Sequence, residues 1–174
     1  QEIDSLVKAF HAAGIDQVAL VGHSLGANMA LSYASLYNNI NDVGMLAPGH
    51  SPRSIRGSSL SEAREMIREG RGNEVGVFKD NVLGRTVDVR MRAADYFSWL
   101  DPNGNAEMMV TAPRLSANIP VFMATGNKDF PWLRDIHYSI VPLLHKNPMN
   151  TLVKVDADHE GVSYSAGTNL RRWL

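Results

Sequence analysis

Ser24 stands at the centre of Gly22-His23-Ser24-Leu25-Gly26, between a short apolar run, Val18-Ala19-Leu20-Val21, and a segment from Leu25 to Tyr37 with helical spacing. A Gly-x-Ser-x-Gly stretch in that context describes a sharp strand-to-helix turn that projects the serine hydroxyl from the carboxyl edge of a sheet. Gly22 and Gly26 lack the side chains that would collide in so tight a turn. The helix that follows aims its first N–H groups, including that of Leu25, at the reaction centre. A serine hydroxyl is a poor nucleophile without a base, and the base needs an orienting acid. Asp129 follows the apolar run Pro120 to Thr125, in Gly126-Asn127-Lys128-Asp129. His159 follows Leu152 to Val155, in Asp156-Ala157-Asp158-His159-Glu160. Loops at the carboxyl ends of parallel strands converge in open α/β sheets, which gives the three side chains a route to one another.

A helix from about Glu2 to Ala13 is stopped at Gly14, and the strand Val18 to Val21 is expected to be buried on both faces. The helix Leu25 to Tyr37 ends at Asn38-Asn39, and a second buried strand, Val43 to Ala47, closes at Pro48-Gly49. The stretch from His50 to Asn118 is rich in Arg, Gly and Ser, with helical patterns near Ser61 to Glu69 and Val87 to Leu100. Between these and the next strand, Asp101-Pro102-Asn103-Gly104-Asn105 has the composition of a turn. Strand Pro120 to Thr125, helix Pro131 to Leu144, strand Leu152 to Val155 and helix Ala166 to Leu174 complete the chain. Strands alternating with helices imply an α/β fold, a parallel sheet with flanking helices. The expected organisation is one structural domain in which residues 1–50 and 119–174 form the α/β core and 51–118 a helical cap insertion.

The order serine, acid, histidine along the chain, on this elbow and these two loops, resembles the α/β-hydrolase superfamily. The Gly-His-Ser-Leu-Gly form of the elbow is common in its lipases, esterases and related acyl hydrolases. The resemblance covers nearly the whole chain, with residues 51–118 corresponding to the variable cap. It implies Ser24 as nucleophile, Asp129 as orienting acid, His159 as general base and the Leu25 N–H as one oxyanion donor. The implied reaction is hydrolysis of a small-molecule carboxylic ester or related acyl compound, with no cofactor and no metal. Thioesterase, peptidase, lactonase or acyltransferase chemistry would use the same residues. The rival reading is a non-catalytic binding module of the same fold, or an inactive fragment.

The resemblance also sets an expectation about extent. The family places several strands and helices before the elbow, including the loop that supplies a second oxyanion N–H, whereas here one helix precedes it and the chain begins at Gln1 inside that helical pattern. The chain is therefore expected to be the C-terminal part of the fold, with the Val18 to Val21 strand left as an open edge. The expected partner is the missing N-terminal segment, upstream or as a separate chain, and pairing of two edge strands across a dimer is the alternative.

Composition narrows the remaining classes. Hydrophobic residues make up 44% and charged residues 20%, with a formal net charge of −1, so no global basic field would draw nucleic acid. The chain has no cysteine, which excludes disulfides and thiolate metal sites, and no apolar run approaches the ~20 residues of a membrane span. Neither a Gly-x-Gly-x-x-Gly nor a Walker A motif occurs. Asp156, Asp158 and His159, crowded in one loop, do not make a metal set, and Asp101 to Asn105 lacks the glycine and glutamate positions of a calcium loop. Asp135 is a fallback acid, disfavoured because it falls inside a helix. His23 is expected to point away from Ser24 in a structural or pocket-wall role, and His50 is a candidate for lining the site. Packed or surface positions on helices account for His11, His137 and His145. Tyr96, Phe97, Trp99, Met108 and Met109 either wall an apolar acyl pocket or, the preferred reading, pack the cap onto the sheet.

Overall fold

The computed structural model describes every residue except Gln1, His50, Arg56 and Leu83, and only the backbone of Ser54. In chain order the elements are α1 (Glu2–Ala12), β1 (Ala19–His23), α2 (Leu25–Tyr37), β2 (Asp42–Leu46), α3 (Leu60–Arg68), β3 (Val75–Val82), β4 (Arg85–Arg92), α4 (Ala93–Leu100), α5 (Met108–Thr111), β5 (Val121–Gly126), α6 (His137–Ile140), β6 (Thr151–Val155), α7 (Gly161–Ser165) and α8 (Gly167–Trp173). They divide into two compact units, Gln1–His50 with Met108–Leu174, and Ser51–Glu107.

The first unit is built on a four-stranded parallel sheet in the order β1-β2-β5-β6. Position in the sheet explains composition. β5 pairs on both sides and is buried at all six residues, and β2 is buried from Val43 onward, as expected of inner strands covered on both faces. β1 pairs with β2 alone and leaves Ala19 and Val21 exposed. The expectation that this strand is buried on both faces is thus corrected: Leu20 packs against the core on one face, whereas Ala19 and Val21, which alternate with it, lie on a face left open. α2 buries Ala27, Ala30, Leu31 and Ala34 at helical spacing against the sheet core of Val43, Met45, Val121 and Met123. Met108, Ala112 and Leu115 belong to the same core.

Two helical expectations are also corrected. Residues 131–136 form turns, followed by the single turn of α6 and a 3₁₀ turn at Val141–Leu143. Pro142 has no N–H to give to a carbonyl one turn back, so the helix expected from Pro131 to Leu144 cannot run through. The helix expected from Val87 to Leu100 is strand β4 up to Arg92 and helix α4 only from Ala93. Val87, Val89 and Met91 are half-buried while Thr86, Asp88, Arg90 and Arg92 are exposed, an alternation of period two that belongs to a strand.

β4 pairs antiparallel with β3, so the insert carries a β-hairpin as well as helices. Its own core is Ala63, Phe78, Ala93, Tyr96 and Leu100, with Phe97 and Trp99 packed against it. Tyr96 stacks on Phe78, ring centroids 4.5 Å apart, and its hydroxyl accepts the Ser59 N–H at 3.0 Å and donates to the Lys79 carbonyl. Asp101 to Asn105 is a turn, closed by the Asn103 N–H on Asp101 Oδ1 at 3.0 Å. No helix among the described residues is long and apolar enough to cross a membrane.

Candidate active site

β1 ends at His23, and Ser24 turns the chain sharply into α2 with φ 54° and ψ −122°. That conformation is uncommon for a residue with a Cβ and costs on the order of 1–3 kcal/mol, so surrounding contacts must hold it. They do so at both ends of the residue. The Ser24 N–H donates to the Leu46 carbonyl at 2.9 Å, and the Ser24 carbonyl accepts the N–H groups of Ala27 at 3.0 Å and Gly49 at 3.3 Å. A Cβ on Gly22 would sit 2.0 Å from the Gly26 carbonyl oxygen, so only glycine fits there. The same necessity does not extend to Gly26. A Cβ there meets nothing within 4 Å beyond its own helical turn, because the position faces outward from the start of α2.

The acid and the histidine come from adjacent strands. Beyond the paired residues of β5 and β6, the Asn127 N–H reaches the Val155 carbonyl and the Lys128 N–H the Ala157 carbonyl, both at 3.0 Å. Sheet pairing is thereby carried into the two loops. Asp129 and His159 are buried at their tips, and His159 Nδ1 lies 3.0 Å from each carboxylate oxygen of Asp129. Asp129 Oδ1 also accepts the Phe130 N–H at 2.6 Å. The Phe130 ring stands beside the imidazole, centroids 5.8 Å apart. On the solvent side Lys128 pairs with Asp156 at 2.8 Å. Its hydrogen bond, seconded by one from Asn127, holds the Asp156 carboxyl below the ordinary value of 3.8.

The other nitrogen of His159, Nε2, is 2.8 Å from Ser24 Oγ. With Nδ1–H donating to Asp129, Nε2 is free to accept the Ser24 hydroxyl proton. The structure thus brings Ser24, His159 and Asp129 into one hydrogen-bonded chain from the ends of β1, β6 and β5. Leu25 is the first residue of α2, and its N–H is one of the helix-end donors with no carbonyl one turn back. Little in the sequence marks Gly49 as part of the site. Its backbone passes so close that a Cβ would lie 2.9 Å from Ser24 Oγ and 3.4 Å from His159 Cε1. The Pro48-Gly49 pair closing the second strand was its one signal.

The remaining candidates lie elsewhere. Asp135 is exposed, in a turn rather than the expected helix, and pairs with Lys154 at 3.5 Å. His11 bonds the Ile15 and Asn39 carbonyls, each at 2.9 Å, tying α1 to the segment after α2. His137 is buried beside Tyr138, and His145 lies past the 3₁₀ turn rather than on a helix. His50 lies outside the described residues. Asp158 accepts the Gly161 N–H at 2.9 Å as the chain enters α7. Among the described residues no three His, Asp or Glu side chains gather into a group able to hold a metal.

No protein-family model matches the chain, and no curated protein matches it in sequence. Solved structures do. A monoacylglycerol lipase from Paleococcus ferrophilus superposes with a TM-score of 0.63 at 21% identity, over 98% of this chain and 69% of that one. An α/β hydrolase from Penicillium sp. sh18 gives a TM-score of 0.68 at 18% identity, over 98% of this chain and 67% of its own. The chain has the α/β-hydrolase fold. An esterase domain from a Rhodothermus marinus protein, at TM-score 0.60 and 15% identity, is matched over 99% of this chain and 66% of that one. The chain spans about two thirds of the length of those structures.

Proposed function

We propose that the chain carries the catalytic triad of a serine hydrolase acting on a carboxylic ester or related acyl substrate. The observation that carries this reading is the chain of contacts Ser24 Oγ to His159 Nε2 at 2.8 Å and His159 Nδ1 to Asp129 at 3.0 Å, set in the strained elbow. In the proposed reaction Ser24 Oγ attacks the acyl carbon as its proton passes to His159 Nε2. Asp129 accepts the Nδ1–H bond throughout and stabilises the imidazolium. The oxyanion of the tetrahedral intermediate is held by the Leu25 N–H. As the intermediate collapses, the imidazolium protonates the departing alkoxide and leaves the acyl group on Ser24. Water, deprotonated by His159, then releases the acid and restores the hydroxyl.

A further segment covering the free edge of β1 and supplying a second oxyanion N–H belongs to the same reading. What supports it is that β1 pairs on one side only. Loss of one such donor costs on the order of 10²- to 10³-fold in turnover, so the 174-residue chain is expected to acylate slowly. A p-nitrophenyl ester series of increasing chain length tests the reading. The expected result is slow nitrophenol release above the rate of the Ser24→Ala variant, with the acyl group recovered on Ser24. A folded chain that releases nitrophenol no faster than its Ser24→Ala variant would instead favour a binding module.

A further inference from the structure

We infer that His23 is a positioning residue for His159, holding the backbone of the base from the position next to the nucleophile. Its effect on reactivity rests on the serine-hydrolase reading above, whereas the contact itself rests on geometry alone. Nε2 of His23 lies 2.8 Å from the carbonyl oxygen of His159, a residue 136 positions away in sequence. A carbonyl only accepts, so the nitrogen facing it carries the proton. The two rings are tilted by 51° with centroids 5.1 Å apart, so His23 stands beside the Ser24–His159–Asp129 chain without entering it.

The contact matters because of where the two residues come from. β1 and β6 are the opposite edges of the sheet, with β2 and β5 between them. The other backbone anchors of the histidine loop stay on its own side. The Ala157 N–H bonds the Val155 carbonyl, and the Ala157 and Asp158 carbonyls accept the N–H groups of Lys128 and Val162. Asp129 and Ser24 fix the imidazole ring, but neither fixes the main chain that carries it. The His23 bond does, and it starts from the residue adjacent to Ser24. It therefore sets the separation of nucleophile and base directly, instead of through three intervening strand pairings. A pendant imidazole free to retreat by an ångström loses reactivity on the order of 100-fold.

Two variants of the 174-residue chain test this. His23→Phe keeps the ring and removes the donor, and His23→Gln keeps an amide N–H at about the reach of Nε2. The readouts are the second-order rate of Ser24 phosphonylation by a fluorophosphonate, the solvent exchange of the His159 Nδ1 proton by NMR, and Tm. The expected result for His23→Phe is phosphonylation slowed on the order of 10- to 100-fold and faster exchange, with Tm near wild type. His23→Gln is expected to recover both. If Phe lowers Tm, His23→Leu takes its place. A donorless variant with wild-type rate and exchange overturns the inference, as does a loss that Gln fails to rescue. A wild-type chain that resists phosphonylation sinks the serine-hydrolase reading instead, and the exchange comparison then still decides whether His23 holds His159.

Discussion

The two halves of the candidate site are held by different means. The acid and the base sit on loops of adjacent strands, β5 and β6, whose pairing continues into the loops themselves, and both side chains are buried. The nucleophile sits at the end of an edge strand, half-buried, in a backbone conformation that its neighbours must enforce. One half is placed mainly by ordinary sheet geometry, with the His23 bond to the His159 carbonyl added from β1. The other is placed by strain, a glycine with no room for a Cβ, and hydrogen bonds arriving from β2 and the segment after it. The difference implies that acid and base should keep their arrangement under perturbations that misplace Ser24.

Ser24→Ala should remove ester hydrolysis by a factor on the order of 10⁴–10⁶ while the NMR signature of the Asp129–His159 bond persists, measured by initial rates and the His159 Nδ1 proton. Asp129→Asn attacks the other half. It should cost on the order of 10³–10⁴ in kcat, with KM nearly unchanged, because it spoils the tautomer of His159 and leaves the elbow intact. Gly49→Ala sharpens the comparison further. Its Cβ would press on Ser24 Oγ and His159 Cε1, both side-chain atoms that can turn away, so kcat should fall on the order of 100-fold with Tm within a few degrees of wild type.

The smallest effect concerns the outer clasp of the acid–base half. The Lys128 hydrogen bond keeps the folded-state Asp156 carboxyl below its ordinary value of 3.8. A depressed folded value stabilises the native state above the unfolded value, and that contribution disappears as pH falls through the folded one. Lys128→Ala should therefore leave Tm at neutral pH almost unmoved, since both partners are exposed. It should flatten the acid limb of the Tm–pH curve below about pH 4. Thermal melts across that range, wild type beside variant, are the check.

Much of this was legible in the residues. The elbow, α2 and the inner strands announce themselves because continuous apolar runs, bounded by turn residues, have few other readings. Asp129 and His159 stand out because each follows such a run. The hairpin is not legible in the same way: β3 carries Gly76, Asp80 and Asn81 and lacks a clean alternation, and β4 runs straight into α4, so Val87 to Leu100 reads as one helical stretch. The edge character of β1 is a property of its neighbours and not of its own apolar side chains. The closeness of Gly49 to Ser24 and the bond from His23 to His159 arise from packing between segments far apart in sequence, which no local pattern encodes.

The most direct test of the central claim is active-site labelling with a fluorophosphonate, followed by peptide mass spectrometry. A single phosphonyl group on Ser24, absent from Ser24→Ala and strongly slowed in His159→Ala, is the predicted result. A folded chain that stays unlabelled, or one whose label survives Ser24→Ala, would contradict it.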